Sequence, residues 1–338
     1  MYEFSKIEAG TRTANEGLRA AVVGAGYFGR IHAGKYASMA DVELVTVVDP
    51  DLSRARAVAE EFGAEAAAHV SDILGRADVA TVAAPAAAHY PTARTLLSAG
   101  IHTLVEKPIA LDLSHADELI ALAARRGCAL QVGHQERYVI GQFGILDRDV
   151  TPSRIECRRA GPFTGRGLDT SVVMDLMIHD LDLVHQVAPA PVDRVRATGM
   201  ALHGTLADEA NAELVLQDGC AVHLHASRNA KERERSMKLV YPDGEVFIDF
   251  VKRTLTNTTG ATLVAAFGGE NVAGRPAVAG DPVGFGVRRF VDCVRDGETP
   301  WISGPCGRRA LETALRITAA IGELGGEEAE AAPAARMA

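Results

Sequence analysis

Short apolar runs alternate with amphipathic segments through the first half of the chain. The amphipathic segments have helical periodicity, with Asp51 and Asp112 at N-cap positions and Gly63, Gly100 and Gly127 at C-cap positions. This alternation predicts βαβ units, and therefore a parallel sheet covered by helices on both faces. The predicted strands are Ala20–Val23, Glu43–Val48, Val79–Ala83, Thr103–Val105 and Ala129–Val132; the predicted helices are Leu52–Phe62, Pro91–Ala99 and the segment from Asp112 to Arg126.

The second half has a different pattern, in which strand-like segments follow one another with short turns. The sequence Tyr-Pro-Asp-Gly at 241–244 is typical of such a turn. Consecutive strands joined in this way predict an antiparallel sheet, accompanied by a few helices. The predicted strands are Ile155–Arg159, Val192–Leu202, Ala212–Leu216, Ala221–Ser227, Ser236–Val240 and Glu245–Phe250; the predicted helices are Val172–Val187, Phe285–Arg295 and Arg308–Leu324.

These two patterns divide the 338 residues into about two domains, as the length alone predicts. The fold class is α/β, with a doubly wound parallel sheet followed by an α+β domain whose open sheet is mostly antiparallel. We expect a flexible lead over 1–17, the parallel domain over 18–140, the second domain over 141–325 and a disordered tail over 326–338.

Composition and charge exclude several functional classes. The formal net charge is −9 and no basic block is present, which disfavours nucleic-acid binding. No apolar run reaches the ~20 residues needed to cross a bilayer. The five cysteines are scattered and form no Cys-x-x-Cys pair, which favours reduced thiols and a cytoplasmic location.

A glycine-rich turn follows the first predicted strand. It reads Gly24-Ala25-Gly26-Tyr27-Phe28-Gly29 and opens a helix. The first glycine permits a tight turn, the second lets a pyrophosphate approach the backbone, and the third lets helix and strand pack closely. The helix N-terminus, with its free N–H groups, favours a bound anion. The motif therefore predicts a dinucleotide site.

An acidic residue supports this interpretation and indicates which dinucleotide is bound. Asp49 ends the second predicted strand, where a carboxylate accepts hydrogen bonds from ribose hydroxyls and repels a 2′-phosphate. We therefore expect NAD, with NADP as the less favoured cofactor. Arg54 and Arg56 offer cations for a 2′-phosphate, but their place on a predicted helix favours solvation.

A lysine follows the strand predicted at Thr103–Val105, in the sequence Glu106-Lys107-Pro108. Ligands of open α/β sheets bind beyond the carboxyl ends of the strands, so Lys107 is placed to meet the nicotinamide end of a cofactor. The proline allows a cis peptide bond in the turn. A surface Glu–Lys pair beside a loop proline explains the same residues equally well.

The predicted helix Val172–Val187 carries a polar stripe in an otherwise apolar sequence. Asp175, His179 and Asp182 stand at i, i+4 and i+7, so they share one face. An aspartate can orient an imidazole that transfers protons near neutral pH. A hydrogen-bonded core histidine is the competing interpretation, whereas the stripe lacks the ligand set of a zinc site. His223 and His225, near Cys220, are weaker candidates for metal ligands.

Together these motifs resemble the Gfo/Idh/MocA oxidoreductases, the family of glucose–fructose oxidoreductase and inositol dehydrogenase. The resemblance covers residues 18–325 and implies metal-free oxidation or reduction of a sugar, inositol or sugar-nucleotide hydroxyl. It implies that Lys107 contacts substrate, that His179 is the catalytic acid/base, and that Asp175 binds substrate or orients the ring. It also implies a cofactor site that includes Pro85, His89, Glu106 and Gln135.

The sequence departs from the family pattern at two places, and both bear on which substrate is bound. The loop at Pro85 lacks the usual Thr and Asn, and Gly165–Ser171 replaces the glycine run before the aspartate helix. Arg166 and Arg228 offer cations to a diphosphate, although a solvated mixed-charge hairpin explains the cations of the segment 227–235 equally well. The sequence most resembles bacterial UDP-N-acetylglucosamine 3-dehydrogenases, which supply a 3-keto sugar to an aminotransferase in diamino-sugar lipid A synthesis.

This resemblance leaves other functions open. A free-sugar or inositol dehydrogenase, a glycosidase-like enzyme with trapped NAD, and a regulator that senses cofactor without chemistry share the fold. The expected partner is a small sugar or sugar nucleotide. The broad open sheet of the second domain predicts a homodimer or homotetramer.

Overall fold

The computed structural model describes residues 17–165, 167–263 and 280–330, with side chains described as far as residue 322. The chain forms two compact units. Unit 1 consists of Met1–Tyr138 and Val278–Leu311, and unit 2 consists of Val139–Ala277 and Glu312–Ala338. Arg166, nearly all of the predicted flexible lead and the last residues of the predicted tail lie outside the described residues.

Unit 1 contains a six-stranded parallel sheet in the order β3-β2-β1-β4-β5-β6. This is the doubly wound order in which dinucleotides bind where the strand order reverses, here between β1 and β4. The elements are β1 (Leu18–Val23), α1 (Tyr27–Ala37), β2 (Val42–Val48), α2 (Leu52–Phe62), β3 (Glu65–Ala67), β4 (Val79–Val82), α3 (Ala86–Ser98), β5 (His102–Val105), α4 (Leu113–Arg126), β6 (Leu130–Val132), and α5 (Glu136–Gln142), which runs into unit 2.

The predicted capping residues explain where two of these helices begin and end. The Asp51 carboxylate accepts hydrogen bonds from the backbone of Ser53 and Arg54 at the start of α2, and the Asp112 carboxylate does the same for His115 in α4. Gly63 and Gly127 end these helices in the left-handed conformation, which costs glycine little. Both predicted helices are confirmed.

A late segment of the chain returns to unit 1. Helix α7 (Pro282–Asp296) buries Val287, Phe290 and Val291 in one hydrophobic cluster with Ala33 and Tyr36 of α1. The apolar face of α7 therefore packs against α1. The sequence predicted one continuous second domain over 141–325, whereas α7 belongs to unit 1.

Unit 2 contains a seven-stranded sheet in the order β13-β12-β11-β7-β10-β9-β8. Among the strands of the described residues in this unit, only β7 and β10 pair in parallel, so the predicted mostly antiparallel sheet is confirmed. A π-helical segment, Val173–Met177, leads into α6. The other elements are β7 (Arg154–Ala160), α6 (Ile178–Val187), β8 (Val192–Met200), β9 (Glu209–Leu216), β10 (Ala221–Ser227), β11 (Glu234–Tyr241), β12 (Gly244–Asp249), β13 (Thr254–Asn257), and α8 (Gly304–Glu330), which begins in unit 1.

Some predicted boundaries were wrong. Helix α3 begins at Ala86, with Pro85 at the N-cap position and Pro91 inside the helix, so Pro91 does not mark the start of the helix as predicted. Helix α8 extends to Glu330, beyond the predicted end at Leu324. The Glu and Ala residues of this extension are good helix formers. All five cysteines are free thiols. In the described part of the chain, no helix has the length and apolar character to span a membrane.

Candidate active site

The candidate residues of unit 1 gather at one edge of the parallel sheet. Each follows the carboxyl end of a strand: the glycine turn follows β1, Asp49 follows β2, Pro85 follows β4, Lys107 follows β5, and Gln135 follows β6. Parallel strands bring these ends together, and ligands bind at this edge in open α/β sheets. The fold therefore brings together candidate residues that are up to 111 positions apart in the sequence.

Each glycine of the turn meets a different requirement. Gly24 has a φ of +101°, and a Cβ there would lie 2.6 Å from the Ala83 carbonyl oxygen. A Cβ on Gly29 would overlap the Gly24 carbonyl. Gly26 is the N-cap of α1, has no side-chain cap, and faces open space with no atom within 4 Å of a Cβ. Two glycines are thus required by the fold, while Gly26 leaves room for a ligand.

The open space at Gly26 fits a dinucleotide pyrophosphate. The unbonded N–H groups of the first helical turn and the helix dipole favour a negative charge there. Tyr27 and Phe28 flank the space, with 67% and 45% of their surfaces exposed and their rings in a T-shaped contact.

Replacing Gly26 by valine tests this fit. We expect the variant to fold, because the backbone at residue 26 has an extended conformation and no protein atom lies within 4 Å of a Cβ at this position. NAD binding should weaken by about 100-fold or more, since the side chain would occupy the space of the pyrophosphate. Calorimetric titration with NAD and thermal unfolding measure the two effects. Gly322→Ala, which adds a methyl group to another open position, is the matched control. Unchanged NAD affinity in Gly26→Val would contradict the assignment.

Asp49 is fixed beside the glycine turn by two backbone contacts. One carboxylate oxygen accepts a hydrogen bond from the Ala25 N–H at 2.8 Å, and the other accepts one from the Asp51 N–H at 2.9 Å. The side chain is half-buried. A carboxylate held at this position can still accept from ribose hydroxyls on its remaining lone pairs and repels a 2′-phosphate.

A buried polar cluster lies directly behind Lys107. Glu106 is 7% exposed, and its Oε1 accepts hydrogen bonds from Nε2 of His32 and of Gln135, both at 2.8 Å. A Cβ at Gly133 would lie 2.5 Å from the other carboxylate oxygen, so glycine there lets the chain pass close to the carboxylate. Burial raises the pKa of Glu106, but the contacts with His32, Lys107 and Gln135 outweigh burial and lower it overall.

This lowered pKa has a consequence for Lys107. Because the Glu106 carboxylate stays charged to lower pH than an ordinary glutamate, it provides a constant negative charge beside the half-buried Lys107 ammonium. The cluster also favours folding at pH values above the ordinary glutamate pKa, and that contribution is lost as the pH falls through the lowered pKa. The Lys107–Pro108 peptide bond is cis, as the sequence allowed.

His89 joins two of the strand-end loops. It is 2% exposed, its Nδ1 lies 2.7 Å from the Pro108 carbonyl oxygen, and its Nε2 lies 2.8 Å from the Ala84 carbonyl oxygen. Burial lowers the pKa of His89, against the opposing effect of the two carbonyls. The ring therefore connects the loop of Pro85 to the turn that carries Lys107. The sequence predicted His89 as a cofactor residue, and the structure places it between these loops.

In unit 2, Asp175 and His179 lie on either side of the change from π-helix to α-helix. Asp175 belongs to the π segment and His179 to the first turn of α6, and both are half-buried. Asp182 is only 1% exposed, so the third residue of the predicted stripe lies in the interior. A π segment changes the direction of side chains relative to a regular helix and is frequent at functional sites.

A buried ion pair anchors the first turn of α6. The Arg159 guanidinium on β7 donates to the Asp180 carboxylate, with Nη2 to Oδ1 at 2.6 Å, and both residues are 2% exposed or less. Because breaking a buried pair leaves an uncompensated charge, loss of either partner is strongly destabilising. The residue that follows His179 is therefore tied firmly to the sheet.

The structure describes one of the two predicted diphosphate ligands. Arg166 lies outside the described residues. Arg228 is 6% exposed, and its guanidinium donates to the carbonyl oxygens of Gly167 and Thr170. Its donors thus hold the backbone that precedes the aspartate helix.

The histidines considered as metal ligands make other contacts. Nδ1 of His225 lies 2.9 Å from the Asn211 side-chain oxygen, and Nδ1 of His223 lies 4.0 Å from a Glu213 oxygen. Within residues 17–165, 167–263 and 280–330, no group of three or more potential ligands could hold a metal ion.

Sequence reasoning missed His32 and Gly133 as parts of the cluster around Glu106. The sequence feature that could have pointed to His32 is its position: it is a polar residue on the buried face of α1, about one turn after the third glycine. Pattern alone does not show that such a residue pairs with Glu106, which follows β5 and lies 74 positions away in the sequence.

Comparison with known proteins gives two family matches in successive parts of the chain. Residues 18–134 match the family described as "Oxidoreductase family, NAD-binding Rossmann fold", and residues 147–247 match the "GFO/IDH/MocA C-terminal domain". The chain is 34% identical, over 90% of its length and 97% of the relative's, to UDP-N-acetylglucosamine 3-dehydrogenase from Acidithiobacillus ferrooxidans.

Solved structures show the same fold. The A. ferrooxidans dehydrogenase, GnnA, superposes with a TM-score of 0.81 at 33% identity, covering 91% of this chain and 98% of that one. GenD2 from gentamicin A biosynthesis, solved in complex with NAD, has a TM-score of 0.79 at 22% identity and covers 93% of this chain and 97% of that one. At this identity, the GenD2 comparison supports the fold alone.

Proposed function

The chain belongs to the Gfo/Idh/MocA family of oxidoreductases, and on that premise we propose that it oxidises carbon 3 of UDP-N-acetylglucosamine to a ketone with NAD. It is an NAD(P)-dependent enzyme that acts on CH–OH groups. The observation that carries the finer proposal is the similarity to the A. ferrooxidans dehydrogenase over nearly the full length of both chains.

His179 is the proposed general base. Oxidation of a hydroxyl removes a hydride from carbon and a proton from oxygen, leaving a C=O bond. When bound, the oxidised nicotinamide ring supplies the acceptor for the hydride. The His179 imidazole takes the hydroxyl proton, a role for which a half-buried histidine near neutral pH is suited.

Lys107 and Asp175 complete the proposed machinery. The Lys107 ammonium donates a hydrogen bond to the same oxygen and stabilises the negative charge that develops on it. Glu106 balances that cation and fixes its backbone, since it immediately precedes Lys107 and is held by His32. Asp175 orients the His179 ring or accepts a hydrogen bond from a neighbouring sugar hydroxyl.

The proposed cofactor is NAD rather than NADP. Gly26 leaves space for the pyrophosphate, and Asp49 lies within hydrogen-bond distance of the same turn. Its negative charge disfavours the 2′-phosphate that distinguishes NADP. The proposed product, a 3-keto sugar nucleotide, has the carbonyl group that an aminotransferase requires, which is consistent with a place in diamino-sugar lipid A synthesis.

A substrate screen tests this proposal. The purified chain is incubated with NAD or NADP and with UDP-N-acetylglucosamine, free N-acetylglucosamine or myo-inositol, and the absorbance of reduced nicotinamide is followed. We expect kcat/KM for UDP-N-acetylglucosamine with NAD to exceed that of the free sugar by about 10-fold or more, because the diphosphate adds charge-assisted hydrogen bonds. Mass spectrometry of the product identifies the ketone.

The other outcomes each support a different function. Turnover of uncharged polyols alone would contradict the sugar-nucleotide assignment. Sugar cleavage without net reduced cofactor would indicate the glycosidase-like chemistry. Dinucleotide binding without turnover of any sugar would indicate a regulator.

A second proposal concerns assembly. Along β9 and β10 buried and exposed positions alternate, so one face of this sheet is covered and the other, which includes Glu213 and His223, is exposed. We propose this exposed face as the contact of a homodimer or homotetramer, as its breadth suggested from the sequence.

A further inference from the structure

Arg228 lies where β10 ends, and a single guanidinium holds both ends of one turn. Its Nη1 donates to the Gly167 carbonyl oxygen and its Nη2 donates to the Thr170 carbonyl oxygen at 2.9 Å. The turn is closed by a hydrogen bond from the Thr170 N–H to the Gly167 carbonyl at 3.4 Å. The turn 167–170 immediately precedes the helix of Asp175, so Arg228 fixes how the chain enters that helix.

The same guanidinium lies between two carboxylates. Nη2 is 3.8 Å from Oδ2 of Asp175, and Nε is 3.8 Å from Oδ1 of Asp208. A Cβ at Gly167 would lie 3.2 Å from the Asp175 oxygen, so the turn also packs closely against that carboxylate. Arg228 thus contacts the turn and the candidate catalytic aspartate together.

Asp208 connects this cluster to a second loop. It is 1% exposed, and its Oδ2 accepts hydrogen bonds from the backbone N–H groups of Leu202 and His203, both at 2.7 Å. The Arg228 N–H donates to the Asp208 carbonyl at 2.9 Å. The loop 201–208, which connects β8 to β9, and the turn 167–170 are therefore organised around the same buried Arg–Asp pair.

These contacts leave little of the Arg228 guanidinium accessible to a substrate. The residue is 6% exposed, and a planar guanidinium that already forks between two carbonyls cannot present the same donors to a diphosphate. We infer that Arg228 is a positioning residue, which holds the turn 167–170 and places the Asp175 carboxylate for the reaction, and is not a ligand of the substrate diphosphate. This inference rests on the proposed function, because it assumes that Asp175 takes part in the oxidation.

The test compares Arg228→Met and Arg228→Lys with the control Arg194→Met, which removes an arginine that is 72% exposed in the same unit. We expect kcat to fall by about 10–100-fold in Arg228→Met, because misplacing reacting groups by about 1 Å has effects of this size. Arg228→Lys should recover only part of the loss, since an ammonium cannot fork between two carbonyls. The affinity for UDP, measured by calorimetry, should stay within about twofold of wild type.

A double-mutant cycle distinguishes positioning from general structural support. If Arg228 acts through Asp175, the loss of kcat caused by Arg228→Lys should be much smaller in an Asp175→Asn background. Fully additive losses, or a UDP affinity lowered about 10-fold or more with kcat unchanged, would overturn the inference. The lysine variant keeps the cycle usable if the methionine variant does not fold.

Failure of the proposed function gives a different result. If wild type neither binds UDP nor oxidises a sugar nucleotide, that proposal is wrong, while the Arg228–Asp175 cycle can be measured with whichever sugar the enzyme oxidises. Non-additive losses in that cycle would still support positioning, and additive losses would still overturn it.

Discussion

Replacing His179 by asparagine is expected to lower kcat by about 10²–10⁴-fold while leaving NAD affinity within a few-fold of wild type. Asparagine retains a hydrogen-bonding side chain of similar size but cannot accept the hydroxyl proton. In the oxidation direction, the acid limb of the wild-type pH profile reports protonation of the base, and this limb should disappear in the variant. Steady-state rates across pH and calorimetric NAD titration provide the measurements.

The control for this prediction is His69→Asn, which replaces an exposed histidine at the N-cap of a short 3₁₀ helix in unit 1 by another good capping residue. It should retain wild-type kcat. A His179→Asn variant with normal kcat and an unchanged pH profile would remove His179 from the mechanism and would favour a histidine that serves only the fold.

Replacing Lys107 by methionine has the second large expected effect, a loss of about 10²–10³-fold in kcat. Methionine keeps most of the aliphatic length but removes the ammonium that we propose stabilises the developing charge on the oxygen. NAD should still bind, because the glycine turn and Asp49 lie on other strand ends. With substrate deuterated at the reacting carbon, we expect a larger isotope effect in the variant, since the chemical step becomes slower than product release.

The control here is Lys252→Met, which removes a lysine that is 79% exposed in unit 2. Normal turnover by Lys107→Met would contradict the assigned role. Loss of NAD binding with unchanged single-turnover rates at saturating NAD would reassign Lys107 as a cofactor residue alone.

The layout of the unit 1 site could be predicted because it depends on local rules. Strand periodicity located the carboxyl ends of the strands, and parallel pairing brings those ends to one edge. Gly26, Asp49 and Lys107 were found in this way, without knowledge of any tertiary contact. Caps at Asp51 and Asp112 marked helix starts for the same reason, since a cap acts over three or four residues.

Features that depend on distant contacts could not be predicted in this way. The return of α7 to unit 1 results from burial of Phe290 beside Tyr36, residues that are far apart in sequence. The short strand β3 carries no period that distinguishes it from a loop. The π segment at Val173–Met177 requires one extra residue per hydrogen-bonded turn, which an apolar sequence does not signal.

The sequence identified the candidate polar residues of the site by their residue type, but it did not show which groups their side chains contact. His89 was identified as part of the cofactor loop, yet its two carbonyl contacts depend on how β4 and β5 end side by side. Arg228 was identified as a cation near the substrate, and its burial against the turn 167–170 gives it a different inferred role. A charge pattern predicts which groups are present, whereas burial determines which of them remain accessible.

The central claim is that His179 accepts the proton of the hydroxyl that the enzyme oxidises. A crystal structure of the chain with NAD and UDP-N-acetylglucosamine tests it by the distance between an imidazole nitrogen of His179 and the oxygen on the carbon that is oxidised. The account predicts a distance of about 3 Å. A well-defined complex in which the imidazole lies beyond about 6 Å from that oxygen, with no bridging water, would contradict it.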